Sequence, residues 1–212
     1  MKIYLASGNA HKAREFSAIA NAMAEPAGAP LVEVVSAQAV GGMPPVVEDT
    51  GSFAGNACKK ARALKERLPA GAWALADDSG LCVDALGGAP GVESAYYSGP
   101  RASGVENLSK LVAVLRDVPP ERRAAHFVCV LVLIGPDGEE HMFEGRCDGR
   151  LLREPVGTGG FGYDPLFVPG GFGQTFAELG DAEKNQLSHR GRAWAELVAW
   201  LRGNVRTSGP KG

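Results

Sequence analysis

Lys2-Ile3-Tyr4-Leu5-Ala6, running into Ser7-Gly8-Asn9-Ala10-His11-Lys12, is the stretch on which the fold turns. The first five residues read as a buried strand, and Ser7-Gly8-Asn9 breaks it. From His11 to Met23 the apolar residues Phe16, Ile19, Ala20 and Met23 fall on one face at helical spacing. Pro26 to Pro30 ends that helix, and Leu31 to Val35 supplies a second strand. Strand, glycine turn, helix, strand is the opening of an α/β fold. The same turn has a chemistry. Backbone N–H groups at a helix start favour an anion, Gly8 permits close approach of a phosphate, and Lys12 adds a point charge. An ordinary turn with a solvated lysine fits equally well, since neither GxxxxGK[ST] nor GxGxxG is present.

Further along, a helix from about Ser52 to Leu68 carries Asn56, Lys59 and Lys60, with Glu48-Asp49 just ahead of it. Leu75-Ala76-Asp77-Asp78-Ser79-Gly80 follows, and an apolar segment resumes at Leu81. Asp, Ser and Gly at 77–80 predict a polar turn between two strands. Two adjacent acids among apolar residues also need a cation if buried, and Mg2+ is the natural partner of carboxylate oxygen. Glu48 with Asp78 would then hold one ion together with water and phosphate. Acids ahead of a helix are favoured by its dipole in any case.

Ser103 to Arg116 is amphipathic, with Ser103 as N-cap. His126 to Ile134, Gly135-Pro136-Asp137-Gly138 and Glu139 to Cys147 form a hairpin pattern. Gly157 to Pro165 holds too many glycines for a strand and reads as a loop that meets a ligand, offering Phe161 or Tyr163 for stacking. A last helix is predicted from about Leu187 to Leu201, with Lys184, His189 and Arg190 as three potential cations near its start. Acids for a metal, cations for phosphates and an aromatic loop for a base together describe a nucleotide site.

The 212 residues suit one α/β domain over 1–203, with two lobes and a tail from 204 to 212 expected to be mobile. At 45% hydrophobic and 22% charged the chain is built around a core and is neither disordered nor membrane-embedded. The longest apolar run, Phe127 to Ile134, is too short to span a bilayer, and the N-terminus turns polar too early for a signal peptide, so the expected location is the cytoplasm. Cys58, Cys82, Cys129 and Cys147 lack any CxxC spacing and read as structural thiols. A net charge of −2 argues against broad nucleic-acid binding.

Five segments occur in one order: SGNAHK at 7–12, GNACKKA at 55–61, LADDSGLCVDALGGAPGVESAYYSG at 75–99, GTGGFGYDPLF at 157–167 and AEKNQLSHRGRA at 182–193. In this the chain closely resembles the inosine/xanthosine triphosphate pyrophosphatases, the HAM1-like family, over nearly its whole length. The resemblance implies an elongated mixed sheet flanked by helices, with a substrate cleft between two lobes. It implies a Mg2+-dependent homodimer that hydrolyses ITP, dITP and XTP to the monophosphate and pyrophosphate. Carried over by position, Ser7, Gly8, Asn9, Ala10, His11 and Lys12 form the first substrate-binding segment, although the family varies freely at His11. Glu48 and Asp78 match metal ligands, Asp78 also the proton acceptor, with Asp77 beside it and Ser79 as a substrate contact. Asn56 and Lys60 lie near the phosphates. Phe161, Gly162, Tyr163 and Asp164 match the base loop, and Lys184, His189 and Arg190 the last substrate-binding group. The expected mechanism uses Asp78, or Asp77, to activate water, with Lys12, Lys60 and Lys184 supporting the pyrophosphate. Asp49-Thr50-Gly51-Ser52 departs from the family pattern and leaves Asp49 as an alternative ligand. Two other functions compete: a Maf-like pyrophosphatase on modified pyrimidine nucleotides, and a nucleotide-binding module without catalysis.

Overall fold

A short strand, β1 (Lys2–Leu5), leads through Ser7-Gly8-Asn9 into helix α1 (Ala10–Ala22). Asn9 closes the turn, its Oδ1 accepting from the N–H groups of His11 at 2.9 Å and Lys12 at 3.3 Å. These are two of the donors a helix start leaves free. The computed structural model describes residues 1–22 and 31–204. The predicted helix end at Met23, the Pro26–Pro30 breaker and the tail from 205 onward lie outside them. Strand β2 (Glu33–Ser36) pairs parallel to β1, and helix α2 (Phe53–Lys65) is capped by Ser52, whose Oγ accepts from the Gly55 N–H at 3.1 Å.

The main departure from expectation is β3 (Trp73–Val83), a single strand that runs straight through the predicted turn. It pairs parallel with β1 up to Leu75 and antiparallel with β4 (Ala124–Ile134) from Ala74 to Val83. That continuous ladder, with apolar residues on both sides of the acids, outweighs the turn propensity of Asp, Ser and Gly. Strands β5 (Glu140–Leu151) and β6 (Phe167–Pro169) complete a mixed sheet of order β2-β1-β3-β4-β5-β6. Helix α3 (Gly104–Val114) starts with a capping box between Ser103 and Glu106. The predicted last helix is divided into α4 (Asp181–Leu187) and α5 (His189–Asn204). Ser188 is extended between them, and its Oγ accepts from the Gly191 N–H at 3.1 Å, restarting the chain as a new helix.

Alternation along the strands decides what each residue meets. On one face Ile3, Leu5, Leu75, Cys129 and Leu131 meet Phe16 of α1 and Trp194 and Leu197 of α5. Farther along the sheet Leu81, Val83, Phe127 and Cys147 join Leu111 of α3 and Phe167 and Phe176. On the opposite face Ala74, Ala76, Val128, Val130 and Val132 meet Ala57, Ala61 and Leu64 of α2. Each fully buried large side chain contributes about 1.5–3 kcal/mol, so β3 is clamped from both sides. Asp77 and Ser79 form a polar band between the first two clusters.

The sheet and α5 also approach unusually closely at Gly145 of β5, where a Cβ would lie 2.0 Å from the His189 carbonyl oxygen. Only glycine lets the start of α5 reach the sheet there. All four cysteines are free, and burial raises each thiol, Cys147 to about 11, consistent with inert packing groups. Among the described residues no helix is long and apolar enough to cross a membrane.

Candidate active site

A cavity of about 570 Å³ is lined by the turn after β1, Glu48, the middle of β3, Phe161 of the loop after β5, and the start of α5. Its size suits a small organic ligand. Because Asp77 and Asp78 are neighbours on a strand, they point to opposite faces and keep different company.

On the α2 face, Lys60 Nζ lies 2.8 Å from Asp78 Oδ1 and 3.0 Å from Glu48 Oε2. Asn56 Nδ2 donates to Asp78 Oδ2 at 3.3 Å. The amide is aimed by Thr50, whose N–H and hydroxyl donate to Asn56 Oδ1 at 3.2 and 2.8 Å. Burial lifts the Asp78 carboxyl to about 6, with Lys60 opposing and Glu48 adding to the rise. Burial likewise works against the charge of Lys60, but Asp78, Asp77 and Glu48 together hold its pKa above the usual value. Asp49, the alternative ligand, is turned to the surface and paired with Lys59.

On the α1/α5 face, Asp77 is fully buried, 2.5 Å from Lys12 Nζ and 3.6 Å from Arg190 Nε. Burial alone would raise its carboxyl, yet Lys12, Arg190 and Lys60 hold it well below the ordinary carboxylate range. The Cys129 thiol donates to Asp77 Oδ2 at 3.5 Å. Arg190 continues outward, Nη2 donating to Ser79 Oγ at 2.7 Å and Nη1 to Glu15 Oε2 at 3.0 Å. Glu15 in turn lies 3.2 Å from Lys184, which donates to Asp164 at 2.7 Å. Asp164 also accepts from the Phe161 N–H at 2.8 Å. Charges thus alternate without a break from Lys12 to the aromatic loop.

That loop is shaped by Gly160, which has φ of 68° and would place a Cβ 2.1 Å from Asp164 Oδ2. Gly162 follows in the same left-handed region and lines the cavity. Phe161 lines the cavity half-exposed. Tyr163 also lines the cavity but is buried, its hydroxyl donating to the Ser94 carbonyl at 2.9 Å, so Phe161 is the more exposed of the two rings. His189 is also corrected as a cation. Full burial, with Arg190 adjacent, pushes its pKa well below the usual value, and its neutral ring stacks on Phe127 at 4.7 Å. Lys184 is buried in ion pairs with Glu15 and Asp164 beside Phe161 and is not among the residues lining the cavity.

Of the first segment, Ser7, Gly8, Asn9, His11 and Lys12 line the cavity, while Ala10 is the exposed first residue of α1. Asn56 stands behind Asp78. Glu15 and Thr50 are among the residues that escaped the sequence reading. Glu15 follows Lys12 at helical spacing beside the buried Phe16, which is the signal that it shares the inward edge of α1. Thr50 carried no comparable signal.

A mixed sheet with one nucleotide-sized cleft, acids and lysines at one end and a fixed aromatic loop at the other, defines an α/β protein built for a phosphorylated ligand. The chain belongs to the Ham1 family, whose model matches residues 3–200. It is 64% identical over 202 residues to a dITP/XTP pyrophosphatase of Opitutus terrae, covering 95% of this chain and 99% of that one. It is 46% identical to a dITP/XTP pyrophosphatase of Corynebacterium diphtheriae, covering 96% and 98%. Among solved structures it is similar to the Staphylococcus aureus Ham1 protein, with TM-score 0.80, 35% identity and coverage of 96% and 99%. It is also similar to a nucleoside-triphosphatase / dITP/XTP pyrophosphatase of Mycobacterium abscessus, with TM-score 0.71, 45% identity and coverage of 93% and 99%.

Proposed function

We propose that the chain hydrolyses deaminated purine nucleoside triphosphates (ITP, dITP and XTP) between the α- and β-phosphates, releasing the monophosphate and pyrophosphate in a Mg2+-dependent reaction. The observation that carries this is the polarity of one cleft. Its lining holds Glu48, Lys60 and Asp78 as one cluster and Phe161 and Arg190, with Lys184 packed behind Phe161, as another. The relatives' names point to dITP and XTP.

Glu48 and Asp78 fit Mg2+. The ammonium of Lys60 already lies between their carboxylates, so the gap suits a cation. Among the described residues no group of three or more His, Cys, Asp or Glu is placed to hold a metal. Two carboxylates completed by phosphate and water is a common Mg2+ arrangement. When bound, the ion would neutralise charge on the phosphate oxygens. The chain's own residues do the rest. Asp78 accepts a proton from the attacking water, and Asn56 fixes its second oxygen. Lys12 and Lys60 steady the leaving pyrophosphate. Asp77, committed to Lys12 and Arg190, holds those cations in place instead of activating water. The base lies against Phe161. Arg190, fixed by Glu15 and Ser79, reads its oxygen-bearing edge, where an amino group would leave a buried donor unpaired. The implied homodimer belongs to the same proposal and is checked by the mass in solution.

Incubation with dITP, XTP, dGTP and a modified pyrimidine triphosphate, with and without Mg2+, tests the proposal by product analysis. Monophosphate plus pyrophosphate from dITP and XTP, only with Mg2+, is expected. Preference for the pyrimidine nucleotide would favour the Maf-like alternative, and binding without turnover a non-catalytic module.

A further inference from the structure

His11 takes part in none of these steps, yet its ring stacks on Phe161 across the mouth of the cavity, centroids 5.4 Å apart and planes 29° from parallel. The contact joins the first turn of α1 to the loop after β5. Arg14, one turn along, lies 3.0 Å from His11 Nδ1 through Nη2. A guanidinium only donates, so Nδ1 accepts, and this contact engages the edge of the imidazole and leaves its faces for stacking. The other neighbours of Phe161 are of a different kind. Lys184 Nζ and Arg190 Cζ each lie 5.2 Å from the ring centroid, and both are buried and locked in ion pairs. His11 is exposed and can swing on its own side-chain torsions.

We propose that His11 is the second wall of the base site, and that the His11–Phe161 stack is that site closed on itself. The purine enters between the two rings. Stacked bases repeat at about 3.4 Å, so a sandwiched purine sets its walls about 7 Å apart. His11 and Phe161 are already stacked, so the rings have to part by one base thickness, about 3.4 Å, which rotation of an exposed side chain supplies. Every base presents a π-face, so this wall adds affinity without choosing between bases, and choice stays with Arg190 and its partners. The inference rests on the nucleotide reading above, since the sandwiched ring is that of the proposed substrate.

Pyrophosphate release from dITP and XTP is followed for the unaltered protein, His11→Ala, His11→Phe and Phe161→Ala. Inhibition by dIMP and by inorganic pyrophosphate is measured alongside. Stacking on an aromatic is worth about 1–3 kcal/mol, so His11→Ala is expected to raise KM about tenfold for both substrates with kcat little changed. His11→Phe restores KM. Inhibition by dIMP weakens in parallel with KM, whereas inhibition by pyrophosphate, which has no base, is unchanged. An unaltered KM in His11→Ala beside a raised KM in Phe161→Ala overturns the second wall and leaves the function standing. Equal weakening of dIMP and pyrophosphate also overturns it, because His11 would then act on the phosphate end. Absence of pyrophosphate release by the unaltered protein overturns the functional reading itself.

Discussion

Asp77 and Asp78 are the same residue type, adjacent on one strand and both buried, yet the fold treats them in opposite ways. The α1/α5 face surrounds Asp77 with Lys12 and Arg190 and keeps it permanently ionised. The α2 face gives Asp78 one shared lysine, an amide and a competing carboxylate, and leaves its proton affinity close to neutral pH. A carboxylate with strong fixed partners is a structural anchor. One whose charge is under-compensated is available for a proton or a metal ion, at some expense to stability. The difference follows from strand alternation, because one peptide step exchanges an entire set of neighbours.

Substitution at the two positions should therefore fail differently. Asp78→Asn is expected to lower kcat by about 10³-fold or more while dITP binding persists, measured by pyrophosphate release and equilibrium binding. Near-normal turnover would remove Asp78 from the chemistry. Asp77→Asn leaves buried Arg190 and half-buried Lys12 with too little negative charge, and breaking such a group costs about 3–5 kcal/mol. Urea unfolding should report that loss; an unchanged midpoint would mean Asp77 anchors nothing.

The two acids also predict opposite pH dependences in the metal-free protein. The carboxyl of Asp77 is lower in the folded chain than its ordinary 3.8, so its contribution is fully present above that value and is lost as pH falls below it. The carboxyl of Asp78 is higher in the folded chain, so stability is fullest below 3.8 and declines as pH rises through about 6. Melting curves across this range should flatten between pH 4 and 6 in Asp78→Asn, and steepen nowhere in that window in Asp77→Asn. The smallest effect is reserved for Glu15→Gln. It weakens the hold on Arg190 and Lys184 and should raise KM for dITP about tenfold with little change in kcat, since hydrogen bonds to charged groups are worth about 1.5–3 kcal/mol. A loss confined to kcat would tie Glu15 to the Asp78 side instead.

Much of the fold was legible from local pattern. The opening strand and helix, the capping box at Ser103 and the hairpin around Gly135–Gly138 all depend on neighbours in sequence. The run at 77–80 misled because Asp, Ser and Gly announce a turn locally. Its true conformation is set by pairing with Val128–Leu131 and by charges from residues 12, 60 and 190, none of them local. The break at Ser188 was hidden for a related reason: a lone serine between two helical patterns does not say whether it caps a new helix. At the site, the residue types were readable, but their protonation was not. His189 looks like a cation in a row of basic residues and becomes neutral only because the fold buries it against Phe127 beside Arg190. Glu15 was passed over because its two cationic partners arrive from residues 184 and 190.

The central claim is that ion and proton chemistry belong to the Asp78 side of β3 and that Asp77 serves only to hold cations. Mn2+ standing in for Mg2+ tests it most directly, titrated by electron paramagnetic resonance in the presence of a non-hydrolysable dITP analogue. The unaltered protein, Asp77→Asn and Asp78→Asn are compared at a temperature where all three remain folded. The account predicts that Asp77→Asn keeps tight Mn2+ binding and Asp78→Asn loses it. Equal loss in both variants, or loss in Asp77→Asn alone, would contradict the division of labour across the strand.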